Sequence, residues 1–242
     1  MLENTNLQDI KRSLAERFDG IANRYDLLAT FNPGYGKHLR WSAKRMALPP
    51  DARILDLCCG TGLSTQALSQ TYPDSTIDAL DISEEMLAQA QAKFYQARVT
   101  FKQGDAMSPR DVGFAGPYDG ILMAYGIRNV PDPDRCLRNL KGLLKPGGRL
   151  CLHEYSVRDS VRGRVVWNLV SVGIILPAGM LTSPGSDIYR YLWRSVVDFD
   201  GVRELEGRLR SVGYKDVRTE AMDGWQKDIV HTFLATAPEA VR

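Results

Sequence analysis

From Arg53 to Thr236 the sequence predicts a doubly wound α/β fold with a mostly parallel, seven-stranded sheet, and three observations carry the prediction. Short apolar runs alternate with helix-patterned stretches; the first run leads into the glycine turn Gly60-Thr61-Gly62; and carboxylates stand at the ends of three successive runs, at Asp56, Asp81 and Asp105. Alternating β and α units form parallel sheets whose ligands sit at the C-terminal ends of the strands. The 242 residues are 44% hydrophobic and 25% charged, which suits one large globular domain and excludes disordered, collagen-like and coiled-coil readings. Lys and Arg number 31 against 29 Asp and Glu, a net charge of +2, so no nucleic-acid partner is expected.

Ahead of the sheet, Leu7, Ile10, Leu14, Phe18, Ile21, Tyr25 and Leu28 recur at helical spacing and define one apolar face. FNPGYG (31–36) breaks that helix, and HLRWSAKRMAL predicts a second one that stops at Pro49-Pro50. Residues 1–48 are therefore expected to form a helical cap on a domain spanning 49–238. RILDLCC reads as a buried first strand, GTGLSTQALSQTY as a helix ended by Pro73, and STIDALD as the second strand. Ser83 is placed to cap the next helix, with Glu84 and Glu85 in the first turn, where the dipole favours them. VTFKQGD, YDGILMAYG and RLCLHEY supply strands three to five; Asp132-Pro133 opens the helix between the last two, and KPGG (145–148) is expected to end it. A helix on Val202, Leu205 and Leu209 and two strands, KDVRTE and DIVHTFLAT, complete the sheet.

An insertion of about 156–198 follows the fifth strand and contains the apolar run Val165 to Leu181. As a helix that run is about 25 Å long, against roughly 30 Å of membrane hydrocarbon, and Pro177 interrupts it. No transmembrane span is expected, while a core helix, a homodimer contact, a peripheral membrane contact and a lid over an apolar acceptor all stay open. The N-terminus lacks a signal-peptide pattern. Cys58, Cys59, Cys136 and Cys151 form no CxxC pair and no zinc spacing, so free thiols, a cytoplasmic location and no metal are expected.

The glycine turn brings backbone N–H groups close to a ligand at a helix N-terminus. A dinucleotide fingerprint needs GxGxxG, but Leu63, Ser64 and Thr65 follow Gly62. An acid at the end of the second strand can accept from both ribose hydroxyls, which describes a nucleoside. A pyrophosphate beside Asp56 would be repelled, whereas an ammonium and a sulfonium tolerate it. Taken singly, each of these acids is as readily a helix cap.

ILDLCCGTG (54–62), LDISEEML (80–87), GDA (104–106) and LKPGG (144–148) together resemble the motifs of class I S-adenosylmethionine-dependent methyltransferases. FDGIANRYD (18–26), GKHLRW (36–41), YGIRNV (125–130) and YRYL (189–192) resemble, more narrowly, the UbiE/COQ5 quinone C-methyltransferases. The resemblance implies a Rossmann-like fold, S-adenosylmethionine as cofactor and a small aromatic quinol or phenol as acceptor. It also implies that Thr61, Asp81, Asp105 and Ala106 line the cofactor and that Tyr25 lies near its methionine end; Asp56, Gly60 and Gly62 of the glycine turn are binding candidates from the turn itself.

Arg128 and Asn129, just past the fourth strand, are the catalytic candidates. A fixed cation lowers the pKa of a neighbouring phenol and an amide can orient its oxygen; alternatively, Arg128 pairs with a carboxylate and Asn129 caps the helix at 132. His153 is the second choice as a base. Rival readings are a methyltransferase acting on oxygen, nitrogen or carbon of another small molecule, an NAD(P)-dependent oxidoreductase, and a non-catalytic nucleoside-binding protein.

Overall fold

A computed structural model describes residues 34–93, 98–182 and 188–239; Tyr25 and the helix expected around it lie outside them. The elements in chain order are α1 (Tyr35–Arg45), β1 (Arg53–Leu57), α2 (Leu63–Thr71), β2 (Thr76–Asp81), α3 (Glu84–Lys93), β3 (Val99–Gln103), β4 (Tyr118–Ala124), α4 (Pro133–Lys141) and β5 (Leu144–Tyr155). Then come α5 (Val161–Val170), a π-helical turn (Ser171–Ile175), α6 (Leu176–Thr182), α7 (Ile188–Asp198), α8 (Val202–Ser211), β6 (Lys215–Ala221) and β7 (Val230–Thr236).

The sheet runs β3-β2-β1-β4-β5-β7-β6. Strands β1 to β5 are parallel, and β7 is antiparallel to both neighbours. The strand order reverses between β1 and β4, so the ends of these two strands splay apart and open a crevice. Helices bury both faces. Leu55, Leu57, Ile121 and Met123 pack with Leu137, Leu140, Leu205 and Leu209 on one side; Ile54, Leu122 and Cys151 pack with Ala43 of α1, Met46 just past its end and Leu68 of α2 on the other. The continuous apolar runs of β1 and β4 follow from that double burial.

Local chemistry sets the helix ends. Asp132 caps α4 by accepting from the Arg135 N–H at 2.9 Å, and Ser83 caps α3 by accepting from the Met86 N–H at 3.1 Å. Two expectations need correction. Gly142, not KPGG, ends α4, and Lys145 to Gly148 already belong to β5. Pro177 does not break the apolar helix either: the π-helical turn just before it loosens the backbone ladder where proline donates no N–H and its ring would crowd the preceding turn.

The resulting Val161–Met180 helix is long and apolar enough to cross a membrane by length and composition, yet only 22% of that window is buried. Val161, Val165, Leu169, Val172 and Met180 are exposed, so a core helix is not what forms. Its inner face is nonetheless seated on the domain. Trp167 is fully buried and its Nε1–H donates to the Trp193 carbonyl at 3.3 Å, and a Cβ on Gly163 would meet the Asp228 carbonyl oxygen at 2.3 Å.

Candidate active site

The chain turns sharply where β1 ends. Cys58 (φ 56°), Gly60 (φ 53°) and Gly62 (φ 88°) all adopt the left-handed region, and nothing lies within 4 Å of where a Gly60 Cβ would project. The turn therefore leaves a backbone-lined hollow facing the crevice. Asp56 stands beneath it, fully buried, with Oδ2 accepting from Ser64 Oγ at 2.8 Å and Thr65 Oγ1 at 2.6 Å. Those bonds tie the turn to the first turn of α2. Burial pushes the Asp56 carboxyl up to about 7, and its Oδ1 has no hydrogen-bond partner.

Asp81 closes the side of the hollow. Its Oδ2 accepts from the Gly60 N–H at 2.8 Å and its Oδ1 from the Ser83 N–H at 2.9 Å. Each carboxylate oxygen keeps lone-pair capacity after one such bond, so the side chain can order the turn and still accept from a diol. Asp105 receives the Met107 N–H on Oδ1 at 2.9 Å.

A pocket of about 810 Å³, open mouth included, is lined by Gly60, Asp81, Ile82, Met86, Asp105, Ala106, Tyr125, Gly126 and Asn129, with Cys58, Leu80, Ala124, Val130 and Pro131 completing the wall. Apolar surfaces with two convergent carboxylates suit a nucleoside. Of the residues expected from sequence, Gly60, Asp81, Asp105, Ala106 and Asn129 are on the wall. Asp56, Thr61 and Gly62 are not: Asp56 lies below the turn, Gly62 caps α2, and Thr61 is buried, with its carbonyl accepting from Lys93 Nζ at 2.9 Å. Cys58, Ile82, Met86, Tyr125 and Gly126 were not singled out. Ile82 could have been found, as an apolar residue directly after the strand-end acid. Gly126 could not, since its need for glycine comes from Cys58 Sγ, 2.6 Å from where a Cβ would stand.

Arg128 follows β4 in a short 3-10 turn, Ile127–Asn129. Its guanidinium is buried against Glu154, donates through Nε to Ser195 Oγ at 3.0 Å and lies 5.5 Å from the Tyr155 ring centroid. The cation is thus already compensated. Asn129 does not cap α4; its Oδ1 accepts from the Tyr191 hydroxyl at 2.8 Å and its Nδ2 donates to the Tyr125 carbonyl at 3.3 Å. Both residues bind α7 to the end of β4. His153 is fully buried and its pKa is lowered to about 3 by burial, which removes it as a base acting directly on a ligand near neutral pH.

The open turn, the unpartnered Asp56 oxygen beneath it and the acid at the β2 end suit a cofactor that carries a ribose diol and an ammonium group without phosphate. With the strand order of the sheet, these features fit the class I S-adenosylmethionine-dependent methyltransferases. The model of the ubiE/COQ5 methyltransferase family matches residues 4–231, and the chain belongs to that family. A demethylmenaquinone methyltransferase of Mycolicibacterium gilvum is 30% identical over 98% of this chain and 100% of its own. A ubiquinone/menaquinone biosynthesis C-methyltransferase UbiE of Syntrophotalea carbinolica is 33% identical over 86% and 88%. Among solved structures, the [4+2]-cyclase SpnF superposes with a TM-score of 0.70 at 17% identity, covering 95% of this chain and 97% of that one. That likeness concerns the fold, which hosts more than one reaction; membership of the family is what makes this chain a methyltransferase.

Proposed function

We propose that this enzyme transfers the methyl group of S-adenosylmethionine to a ring carbon of a small quinol or phenol. The observation that carries the reading is the aromatic wall beside the cofactor pocket. Tyr125 lines the pocket, and its ring stacks on Tyr35 at 5.4 Å and packs at a tilt against Tyr155 at 4.8 Å. Such surfaces accept a flat, apolar ring and exclude water. The relatives' names point to the same acceptor class.

The cofactor supplies a methyl on a sulfonium. Asp81, the Gly60 turn and Asp105 would hold and orient it, and Asp56 Oδ1, beneath the turn and off the pocket wall, would accept from an ammonium drawn down into the turn. Arg128 and Asn129 position α7 against the pocket, with Asn129 presenting its amide at the wall. When bound, the cofactor would supply its methyl to the ring carbon and keep the methyl–sulfur electron pair on sulfur, and the displaced ring hydrogen would pass as a proton to water. The test is a set of quinol and phenol acceptors with labelled S-adenosylmethionine, the product assigned by mass and carbon position. Label found on oxygen or nitrogen refutes the reading.

We propose further that the exposed stripe of α5 and α6 rests on an anionic lipid surface from which an apolar acceptor is drawn. Exposed Val161, Val165, Leu169 and Val172 recur at helical spacing, and exposed Arg162, Arg164, Arg190 and Arg194 stand on the same insertion, the charge sign that complements anionic lipid. The seating of Trp167 and Gly163 on the domain favours a helix lying along the surface over one crossing it.

A further inference from the structure

Four hydrogen bonds link the pocket wall to the opposite rim of the domain. Arg45 Nη1 donates to Thr232 Oγ1 at 2.7 Å, Thr232 Oγ1 and Ser42 Oγ are 2.8 Å apart, Ser42 Oγ is 2.8 Å from His153 Nδ1, and His153 Nε2 is 2.8 Å from the Tyr125 hydroxyl. Thr232, Ser42 and His153 are completely buried. Arg45 is held from the other side by Glu220 at 2.7 Å and by the Ala221 carbonyl at 3.2 Å.

Arg45 sets one end of the chain, since a guanidinium has only donors and does not deprotonate. The assignment that gives every hydrogen an acceptor within the chain has Thr232 Oγ1 accept from Arg45 and spend its one hydrogen on Ser42. Ser42 then spends its own on His153 Nδ1. A neutral imidazole carries one proton, which is left on Nε2 and donates to Tyr125 Oη. Burial is the main influence that keeps the imidazole neutral, and His38 and Arg45 from α1 and His231 from β7 each disfavour a second proton as well. Glu154, its neighbour in β5, is engaged by Arg128. In that assignment the Tyr125 O–H points away from the imidazole, and a phenol that accepts a hydrogen bond is the stronger donor.

We infer that Tyr125 is a catalytic hydrogen-bond donor to the ionised oxygen of the acceptor, its hydrogen aimed by the chain Arg45–Thr232–Ser42–His153. The inference rests on the phenol reading above. Tyr125 keeps its proton throughout. It stabilises the phenolate that forms when the acceptor's hydroxyl proton goes to water, and the charge of that phenolate flows from the oxygen into the ring as the carbon takes the methyl. The backbone is committed to this placement: Tyr125 is a non-glycine residue at φ 56°, fixed by its N–H on the His153 carbonyl at 2.7 Å. Left-handed backbone at a bulky residue is rare and persists where the surroundings enforce it.

Two experiments test it. Nitrogen NMR of histidine-labelled enzyme, with no acceptor present, should find the His153 proton on Nε2; a proton on Nδ1 overturns the chain whatever the acceptor proves to be. In turnover, Tyr125→Phe should lower kcat by ~10- to 100-fold and move its acidic limb up by ~1 pH unit, with cofactor Kd unchanged. His153→Gln, which restores a donor near Nε2, should keep more of kcat than His153→Leu. Parental kcat and pH profile in Tyr125→Phe, or equal losses in the two His153 variants, refute the assignment. An active parent that labels nitrogen defeats the phenol reading instead, and the tautomer still judges the chain.

Discussion

The guanidinium of Arg128 and the carboxylate of Glu154 form an ion pair at the ends of β4 and β5 whose side chains are only 5% and 0% exposed. Burial pushes the Glu154 carboxyl up, and Arg128 is the largest influence pulling it back. A cation neutralised in this way has little field left to lower the pKa of a separate phenol. It has much to do for the fold, since Nε also reaches Ser195 of α7.

Arg128→Ala should therefore cost roughly 3 to 5 kcal/mol of stability by stranding Glu154 in the interior. The double variant Arg128→Met, Glu154→Leu should recover most of that loss. Urea unfolding measures both. A variant of parental stability whose kcat has collapsed would return Arg128 to direct action on the acceptor.

Asp56 predicts a pH dependence of known sign. Its folded-state pKa of about 7 lies above the ~3.9 of an unfolded aspartate. Between those values the native state holds more protons than the unfolded state, so stability without cofactor falls as pH rises from about 4 to about 7. Asp56→Asn should flatten that slope and raise Tm near pH 8. Binding an ammonium at Oδ1 should release a proton near pH 7, seen by calorimetry in buffers of different ionisation enthalpy and absent in Asp56→Asn. No proton release in the parent would place the ammonium elsewhere.

Asp81→Ala removes a charge-assisted acceptor from the cofactor and also frees the Gly60 and Ser83 N–H groups. A loss of ~1.5 to 3 kcal/mol weakens S-adenosylmethionine by about tenfold to 150-fold. Isothermal titration should show this loss, and no binding of NADH by the parent. Unchanged affinity would remove Asp81 from the ribose.

Replacing Val165 and Leu169 with glutamate leaves the core alone, since both side chains face out. Sedimentation with anionic vesicles should be lost and Tm kept. KM should rise for a long-tailed quinol and stay unchanged for a tail-free analogue. If the parent ignores vesicles but is a dimer that the same variant splits, the stripe meets a second copy instead.

The sequence by itself determined the strands, their order of appearance and the end of the sheet that carries the site. Apolar runs such as RILDL and YDGILMA, the Ser83 and Asp132 caps and the Gly60–Gly62 turn act within a few residues, where periodicity and turn chemistry leave little freedom. Asp81 and Asp105 were legible for the same reason: each follows a readable strand. Only the tertiary structure decided which polar groups meet. Ser42 and His153 are 111 residues apart, and Arg45 and Thr232 are separated by 187. Nothing in the local pattern of either partner names the other. The same holds for Arg128, whose type suits an ion pair and a catalytic cation equally until packing brings Glu154 beside it. It holds too for α5, whose apolar composition suits core and surface alike. Which face is covered depends on how β5 and α7 dock, and the π-helical turn before Pro177 lets one helix continue where local rules predicted a break.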